Sequence, residues 1–68
     1  METYFDAQVW FNRIVGEPEP IDRFESKEEA VAAGRDEAIE RGVEHIVRSR
    51  DGQIESRDGQ IHEPGIEP

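Results

Sequence analysis

The stretch from Phe24 to Gly59 constrains the fold more than any other part of the chain. Ser26 is a preferred helix N-cap, and Glu29 follows it at the spacing of a capping box. No proline interrupts the residues that follow, and Gly42 is able to adopt the positive φ at which many helices end. These signals predict one helix from Lys27 to Arg41.

The predicted helix has one face made of small or apolar residues. Helical periodicity brings four residues to one side: Ala30, Val31, Gly34 and Ala38. Charged residues fall on the other sides of the helix. Because three of the four are alanine or glycine, we expect the helix to pack closely on a sheet.

The second signal within this stretch is the dipeptide Asp51-Gly52. Asp-Gly between two strand-like runs is typical of a two-residue hairpin turn, in which both central residues need positive φ. That turn would pair Val47 with Ser56 and Arg48 with Glu55, an opposite-charge pair. The sequence therefore predicts a tight hairpin directly after the helix.

Residues 3–15 are rich in β-branched and aromatic side chains and predict the first strand. Strict alternation along one strand would place Phe5 and Phe11 on the face that meets the helix. The opposite face would carry Tyr4 and Trp10. Because one helix covers one side of a small sheet, we expect this opposite face to be partly exposed.

The remaining connections complete the fold prediction. Residues 16–20, Gly-Glu-Pro-Glu-Pro, form a loop, because two prolines and a glycine disfavour pairing there. Further strands are expected at Ile21–Phe24, Val43–Arg50 and Gln53–Arg57. The predicted fold class is α+β, a β-β-α-β-β module with one helix packed on one face of an antiparallel-rich sheet.

Length allows one domain, which we place at residues 1–62, with a flexible C-terminal tail at residues 63–68. Arg50–Glu55 recurs in altered form as Arg57–His62, so Gln60 to His62 is expected to return briefly as a strand. Two copies are too few for a repeat architecture.

Composition sets the expected compartment. The chain has no cysteine, no apolar run long enough to span a membrane and no basic-then-apolar start. We therefore expect a cytoplasmic protein without disulfides and without a membrane partner.

Charge is the most unusual bulk property. Seventeen acidic residues against eight basic ones give a formal net charge of −9, and a single lysine, Lys27, is present. A chain this acidic should repel nucleic acids unless its arginines cluster. The acidity fits either a solvated surface in a salty cytoplasm or a surface that imitates the phosphates of a nucleic acid.

Short motifs in the chain resemble one family of small prokaryotic proteins. They are Trp10 in the first strand, the helix start Ser26-Lys27-Glu28-Glu29-Ala30, Gly42 after the helix, and Arg50-Asp51-Gly52-Gln53-Ile54 in the hairpin. In these motifs, over residues 9–59, the chain is similar to the domain-of-unknown-function family numbered two thousand one hundred and eighty-eight. It departs from that pattern at Val9, which replaces a usual glycine, and at Glu37 and His45, which replace usual aliphatic residues. The family has no established activity, so the resemblance implies a fold and not a function.

The sequence gives little support for an enzymatic activity. His45 and His62 are the two histidines, and their spacing does not suggest a metal site with nearby carboxylates. His45 falls on the presumed core side of its strand, which favours a structural histidine. Ser26 is explained by capping, and no nucleophile–base spacing is present. We expect no enzymatic activity, no metal and no cofactor.

Three functions remain open. The first is a protein-interaction module that associates with itself or with another protein through Tyr4, Trp10 and Ile46. The second is an acidic decoy for a nucleic-acid-binding protein, through Glu28, Asp36, Glu37, Glu40 and Glu44. The third, which the net charge disfavours, is direct nucleic-acid binding through Arg48, Arg50 and Arg57.

Overall fold

A computed structural model describes residues 1–58 of the chain. The elements, in chain order, are β1 Glu2–Asp6, β2 Val9–Arg13, β3 Asp22–Phe24, α1 Lys27–Arg41, β4 His45–Arg48 and β5 Ile54–Asp58. The predicted α+β class with one helix on one face of the sheet is confirmed. The predicted order β-β-α-β-β is short by one strand, because residues 3–15 form two strands instead of one. Gln60 to His62 and the tail at 63–68 lie outside the described residues.

The helix forms where its capping residues predict it. The Ser26 hydroxyl accepts a hydrogen bond from the Glu29 amide at 3.2 Å. At the other end Gly42 adopts φ 68°, and its amide donates to helix carbonyls that would otherwise lack a partner. Both ends are therefore fixed by local sequence, and the predicted range from Lys27 to Arg41 is confirmed.

The break in the predicted first strand is a two-residue turn. Ala7 and Gln8 have φ of 52° and 71°, so both lie in the left-handed region that a type I′ hairpin requires. β1 and β2 pair antiparallel across this turn, with Phe5 opposite Trp10 and Tyr4 opposite Phe11. The turn residues are neither glycine nor asparagine, which is why the sequence gives no clear sign of it.

The turn changes which side chains share a face. Directly opposed residues in a hairpin project to the same side of the sheet. Trp10 therefore lies on the side of Phe5, against the helix, and is 3% exposed. The prediction that Trp10 lies with Tyr4 on a partly exposed face is wrong, because a hairpin with a two-residue loop pairs odd-numbered with even-numbered positions.

The five strands form one sheet in the order β3-β2-β1-β4-β5. β1 and β4 pair in parallel, and the other three neighbouring pairs are antiparallel. α1 links β3 to β4 and so crosses over β2 and β1 between them. This crossover places the helix across the middle of one face and, within residues 1–58, leaves the opposite face uncovered.

The second hairpin has a wider turn than predicted. Val47 pairs with Ser56 as expected, but a register shift then places Arg48 opposite Ile54. The Ser49 amide donates to the Gln53 carbonyl at 2.8 Å, which closes a loop longer than two residues. The predicted pair Arg48–Glu55 is therefore wrong, since the bulge turns Glu55 toward the helix side.

Under the helix the sheet is partly polar. Ala30, Gly34 and Ala38 are the buried helix residues, which confirms the predicted small-residue face. Gly34 lies directly above three buried polar side chains, those of Thr3, Asn12 and His45. A methyl group added at Gly34 would lie 2.7 Å from both Asn12 Oδ1 and His45 Nε2, so only glycine fits at this contact.

Candidate functional site

The sheet surface that the helix leaves uncovered is the main candidate site, and we call it the open face. Strand alternation and pairing assign to it these strand residues: Glu2, Tyr4, Asp6, Val9, Phe11, Arg13, Arg23, Ile46, Arg48, Ile54 and Arg57. Several of its apolar side chains are half-buried, and Ile54 is 44% exposed. The open face therefore combines apolar side chains with guanidinium groups.

An aromatic pair lies near its centre. The rings of Tyr4 and Phe11 stack with centroids 5.4 Å apart and an interplanar angle of 26°. The guanidinium of Arg13 lies over the Tyr4 ring, 4.4 Å from its centroid. Stacking and the cation–π contact tie the two rings to each other and to Arg13, so the three side chains form one connected cluster on the face.

The carboxylate of Glu2 lies between two arginines, next to the aromatic pair. Arg13 Nε donates to Glu2 Oε1 at 2.7 Å, and Arg48 Nε donates to Glu2 Oε2. Burial opposes ionisation of Glu2, but the hydrogen bonds from Arg48 and Arg13 outweigh it and lower the pKa of its carboxyl. The Glu2 side chain is 8% exposed, so the two arginines cover their own counterion.

Charge is distributed unevenly between the two sides of the molecule. The open-face strand residues include four of the eight basic residues, Arg13, Arg23, Arg48 and Arg57. They include two of the seventeen acidic residues, Glu2 and Asp6. At the rim, Glu44 lies 3.7 Å from Arg57, and Glu17 lines a shallow cavity with Arg13 and Arg48. The face is thus rich in arginine on a strongly acidic chain.

An apolar cleft of about 290 Å³ adjoins one end of the open face. Its apolar lining residues are Met1, Ile14, Val15, Val43 and Ile46. Ile46 also belongs to the open face, so the cleft extends the apolar surface around the end of the sheet.

These features can be compared with known proteins. The sequence profile of the family described as "Uncharacterized protein conserved in bacteria (DUF2188)" matches residues 2–59. The chain belongs to this family. No curated protein and no solved structure gives a significant match. Membership in DUF2188 confirms the predicted resemblance, and the family description names no activity.

In the described part of the chain, no helix is both long enough and apolar enough to cross a bilayer. Within residues 1–58, no three His, Cys, Asp or Glu side chains come close enough together to hold a metal ion.

The structure separates the three predicted interaction residues. Tyr4 and Ile46 lie on the open face, whereas Trp10 is buried beneath the helix, where Lys27 Nζ lies 5.6 Å from its ring centroid. The prediction that Phe11 meets the helix is wrong, because the first hairpin brings Phe11 to the side of Tyr4. Sequence reasoning also missed Arg13 on β2 and Arg23 on β3, which lie on the same side. A strand of thirteen residues is unusually long, and this length was the available signal for a turn within it.

The predicted acidic surface is only partly continuous. Glu28, Asp36 and Glu40 are exposed on the helix. Glu37 is half-buried, and a hydrogen bond to the Asp22 carboxylate, together with burial and the Asp22 charge, raises its pKa to about 7. Glu44 contacts Arg57. Two of the five predicted acidic residues therefore interact within the molecule.

The three arginines predicted for nucleic-acid binding do not form one cluster. Arg48 binds Glu2 and donates to the Gly52 carbonyl at 2.8 Å. Arg50 lies 5.1 Å from the centroid of the Phe5 ring, which is on the helix side of the sheet. Arg50 lies in the turn and reaches the helix side, whereas Arg57 on β5 lies opposite Ile46 on the open face, so these guanidinium groups lie on different surfaces.

The buried pair Thr3 and His45 resembles a nucleophile with its base, but the hydrogen bond between them runs in the wrong direction for that role. Asn12 Nδ2 donates to the Ala30 carbonyl at 2.9 Å, so Asn12 Oδ1 accepts the Thr3 hydroxyl proton at 2.5 Å. The Thr3 oxygen, 2.8 Å from His45 Nε2, must then accept from that nitrogen. His45 donates to Thr3 and cannot act as its base, which favours the predicted structural role of the histidine.

Proposed function

We propose that this DUF2188 chain is a non-enzymatic protein-interaction module that associates with a second copy of itself through the open face. The observation that carries the proposal is the apolar strip of Tyr4, Phe11, Ile46 and Ile54 on the uncovered side of the sheet. Uncovered apolar side chains of this kind, with polar residues around them, are typical of protein interfaces.

The small size of the hydrophobic core favours a second copy of the chain as the partner. Among residues 1–58, the buried apolar side chains are those of Met1, Trp10, Ala30, Ala38 and Val47, and two of the five are alanines. A domain of this length buries little apolar surface and gains stability when association buries more. Covering the open face would add the aromatic pair to the buried area.

The proposal excludes catalysis and places the protein in the cytoplasm. The most enzyme-like group, Thr3 with His45, is buried, and its hydrogen bonds run in the direction opposite to that needed for general-base catalysis. The absence of cysteine from the sequence fits a reducing compartment.

Light scattering behind a sizing column tests self-association. The chain has a mass of 7.8 kDa, and we expect a larger mass that increases with protein concentration. Phe11→Ser removes one ring of the stacked pair and should lower the association constant on the order of tenfold, which corresponds to about 1.4 kcal/mol. Circular dichroism would establish that the variant remains folded.

The matched control is Ser26→Ala. It weakens the helix cap by about 1 kcal/mol without touching the open face, so it separates lost association from lost stability. We expect Ser26→Ala to associate like the wild type. A folded wild type that stays monomeric at every concentration would overturn the proposal.

A further inference from the structure

We infer that the second copy covers the open face with its helix and not with its own open face, so that copies associate head to tail. The inference rests on the proposed self-association and specifies its geometry. It follows from comparing what the two exposed sides of the molecule carry.

The open face is a poor partner for itself. Its charges are mainly guanidinium groups, at the centre in Arg13 and Arg48 and on the two edge strands in Arg23 and Arg57, against one exposed carboxylate, that of Asp6 at the end of β1. The carboxylate between the central pair, Glu2, is 8% exposed and cannot reach across an interface. Apposing two such faces costs binding energy, because each face offers only Asp6 and most of these arginines are left without a carboxylate of the partner to match them.

The outward side of the helix has the complementary character. Ile39 is 61% exposed there, and carboxylates of Asp36 and Glu40 are exposed beside it. Arg35 is the exposed cation on this side. Glu28 adds a further carboxylate about three helical turns from Ile39. An exposed apolar side chain flanked by carboxylates matches an apolar strip flanked by arginines.

The dimensions of the two surfaces agree. A helix of fifteen residues is about 22 Å long at 1.5 Å per residue. Five strands spaced about 4.8 Å apart give a sheet about 19 Å wide between its outer strands. One helix is therefore long enough to span the open face between its outer strands. The result is an alternating stack of helix and sheet layers.

This contact uses two different surfaces, so one open face and one helix remain free at the ends of every assembly. Such an interface produces a series of sizes instead of a closed dimer unless the rotation between copies closes a ring. Because charge complementarity contributes to it, the association should weaken as salt screens the carboxylates and arginines.

Two variants with substitutions only at exposed residues test the geometry. The sheet variant is Arg23→Gln with Ile54→Ser and Arg57→Gln, and the helix variant is Asp36→Asn with Ile39→Ser and Glu40→Gln. Each variant retains one intact surface. We expect each alone to lose association on the order of tenfold or more, measured by light scattering.

The decisive experiment is to mix the two variants. The intact face of the helix variant should bind the intact helix of the sheet variant, giving a one-to-one dimer that grows no further. The control is Glu19→Gln with Glu25→Gln, which neutralises two exposed carboxylates away from both surfaces and should associate like the wild type.

The outcomes separate the inference from the proposed function. If the sheet variant is monomeric while the helix variant associates like the wild type, self-association through the open face stands and the head-to-tail geometry is wrong. If both variants associate normally, neither the open face nor the helix is the interface, and both proposals fail. A monomeric wild type also overturns both and assigns the open face to another partner.

Discussion

At the scale of single residues, the most informative feature is a polar network across the sheet under the helix. It runs through Glu37, Asp22, Asn12, Thr3 and His45. Asn12 joins its two halves, because Nδ2 lies 3.5 Å from Asp22 Oδ2 and Oδ1 accepts from Thr3. Glu37 and His45 lie at the two ends of this network.

Gly34→Ala tests how closely the helix approaches this network. Replacing glycine by alanine in a helix normally stabilises it by about 0.5–1 kcal/mol. Here the new methyl group would lie 2.7 Å from Asn12 Oδ1 and 2.8 Å from Thr3 Oγ1. We therefore expect destabilisation by about 1–3 kcal/mol in urea unfolding.

The control for this prediction is Ala32→Gly on the exposed side of the same helix, which reports backbone propensity alone, a loss of about 1 kcal/mol. A more stable Gly34→Ala variant would mean that the helix is not held against the polar cluster.

Thr3→Val removes the hydroxyl that joins Asn12 to His45 and leaves the shape nearly unchanged. Both partners lose a hydrogen bond in a buried site, so we expect the free energy of unfolding to fall by about 1–3 kcal/mol. Thr3→Ser keeps the hydroxyl and should retain most of the stability. Equal losses in the two variants would show that packing of the Thr3 methyl, and not the hydrogen bonds, is what matters.

Glu37 predicts a specific pH dependence. Its hydrogen bond to Asp22, with burial and the Asp22 charge, raises its pKa from 4.5 to about 7 in the folded chain. The folded state therefore binds the proton more tightly than the unfolded state. The resulting stabilisation is fully present below pH 4.5 and is lost as the pH rises to about 7.

Urea unfolding over a pH series measures this effect. Between pH 4.5 and 7, the free energy of unfolding of the wild type should fall relative to that of Glu37→Gln, which has no carboxyl to titrate at this position. Glu28→Gln, an exposed position on the same helix whose charge does not contribute to the Glu37 shift, is the control and should follow the wild type. Parallel curves for wild type and Glu37→Gln across this window would contradict the prediction.

At the scale of elements, the turn between β1 and β2 determines which residues form the site. It brings Phe11 and Arg13 to the side of Tyr4 and sends Trp10 beneath the helix. Ala7 and Gln8 hold left-handed φ values that side chains with a Cβ disfavour by about 1–2 kcal/mol per residue. Tertiary pairing of the flanking strands overcomes this local cost.

Replacing this turn by Asn-Gly, through Ala7→Asn with Gln8→Gly, should relieve the strain. Asn-Gly is the preferred pair for a type I′ turn, so we expect a gain of about 1 kcal/mol in the free energy of unfolding. Ala7→Val, which places a β-branched residue at positive φ, should lose stability. If the Asn-Gly variant is less stable than the wild type, the turn does not have this conformation.

At the scale of the whole molecule, charge opposes compactness. A net charge of −9 on 68 residues produces self-repulsion that favours the unfolded chain. Screening by added salt should therefore raise the thermal midpoint of the monomer, measured by circular dichroism at a concentration too low for association. A midpoint that falls with salt would mean that ion pairs such as Arg13–Glu2 outweigh the repulsion.

The variant Glu19→Gln with Glu25→Gln is the control for this effect. It lowers the net negative charge without disturbing an element, so it should be more stable than the wild type at low salt and gain less from added salt. The same salt that stabilises the monomer should weaken head-to-tail association, which distinguishes the two effects.

Local sequence signals are enough to predict the helix, its two ends, its small-residue face and the presence of a hairpin after it. These features depend on residues close together in the chain: Ser26 with Glu29, Gly42, and Asp51 with Gly52. Capping and turn preferences act over a few residues, so they can be read without knowing the rest of the fold.

Tertiary structure alone decided the open face. The turn at Ala7 and Gln8 has no local signature, so strand pairing sets it, and with it the side on which Tyr4, Phe11 and Trp10 lie. The parallel pairing of β1 with β4 joins Glu2 to Arg48 across 46 positions of sequence. Side-chain alternation has a period of two, so a single chain reversal changes which side of the sheet each later residue faces.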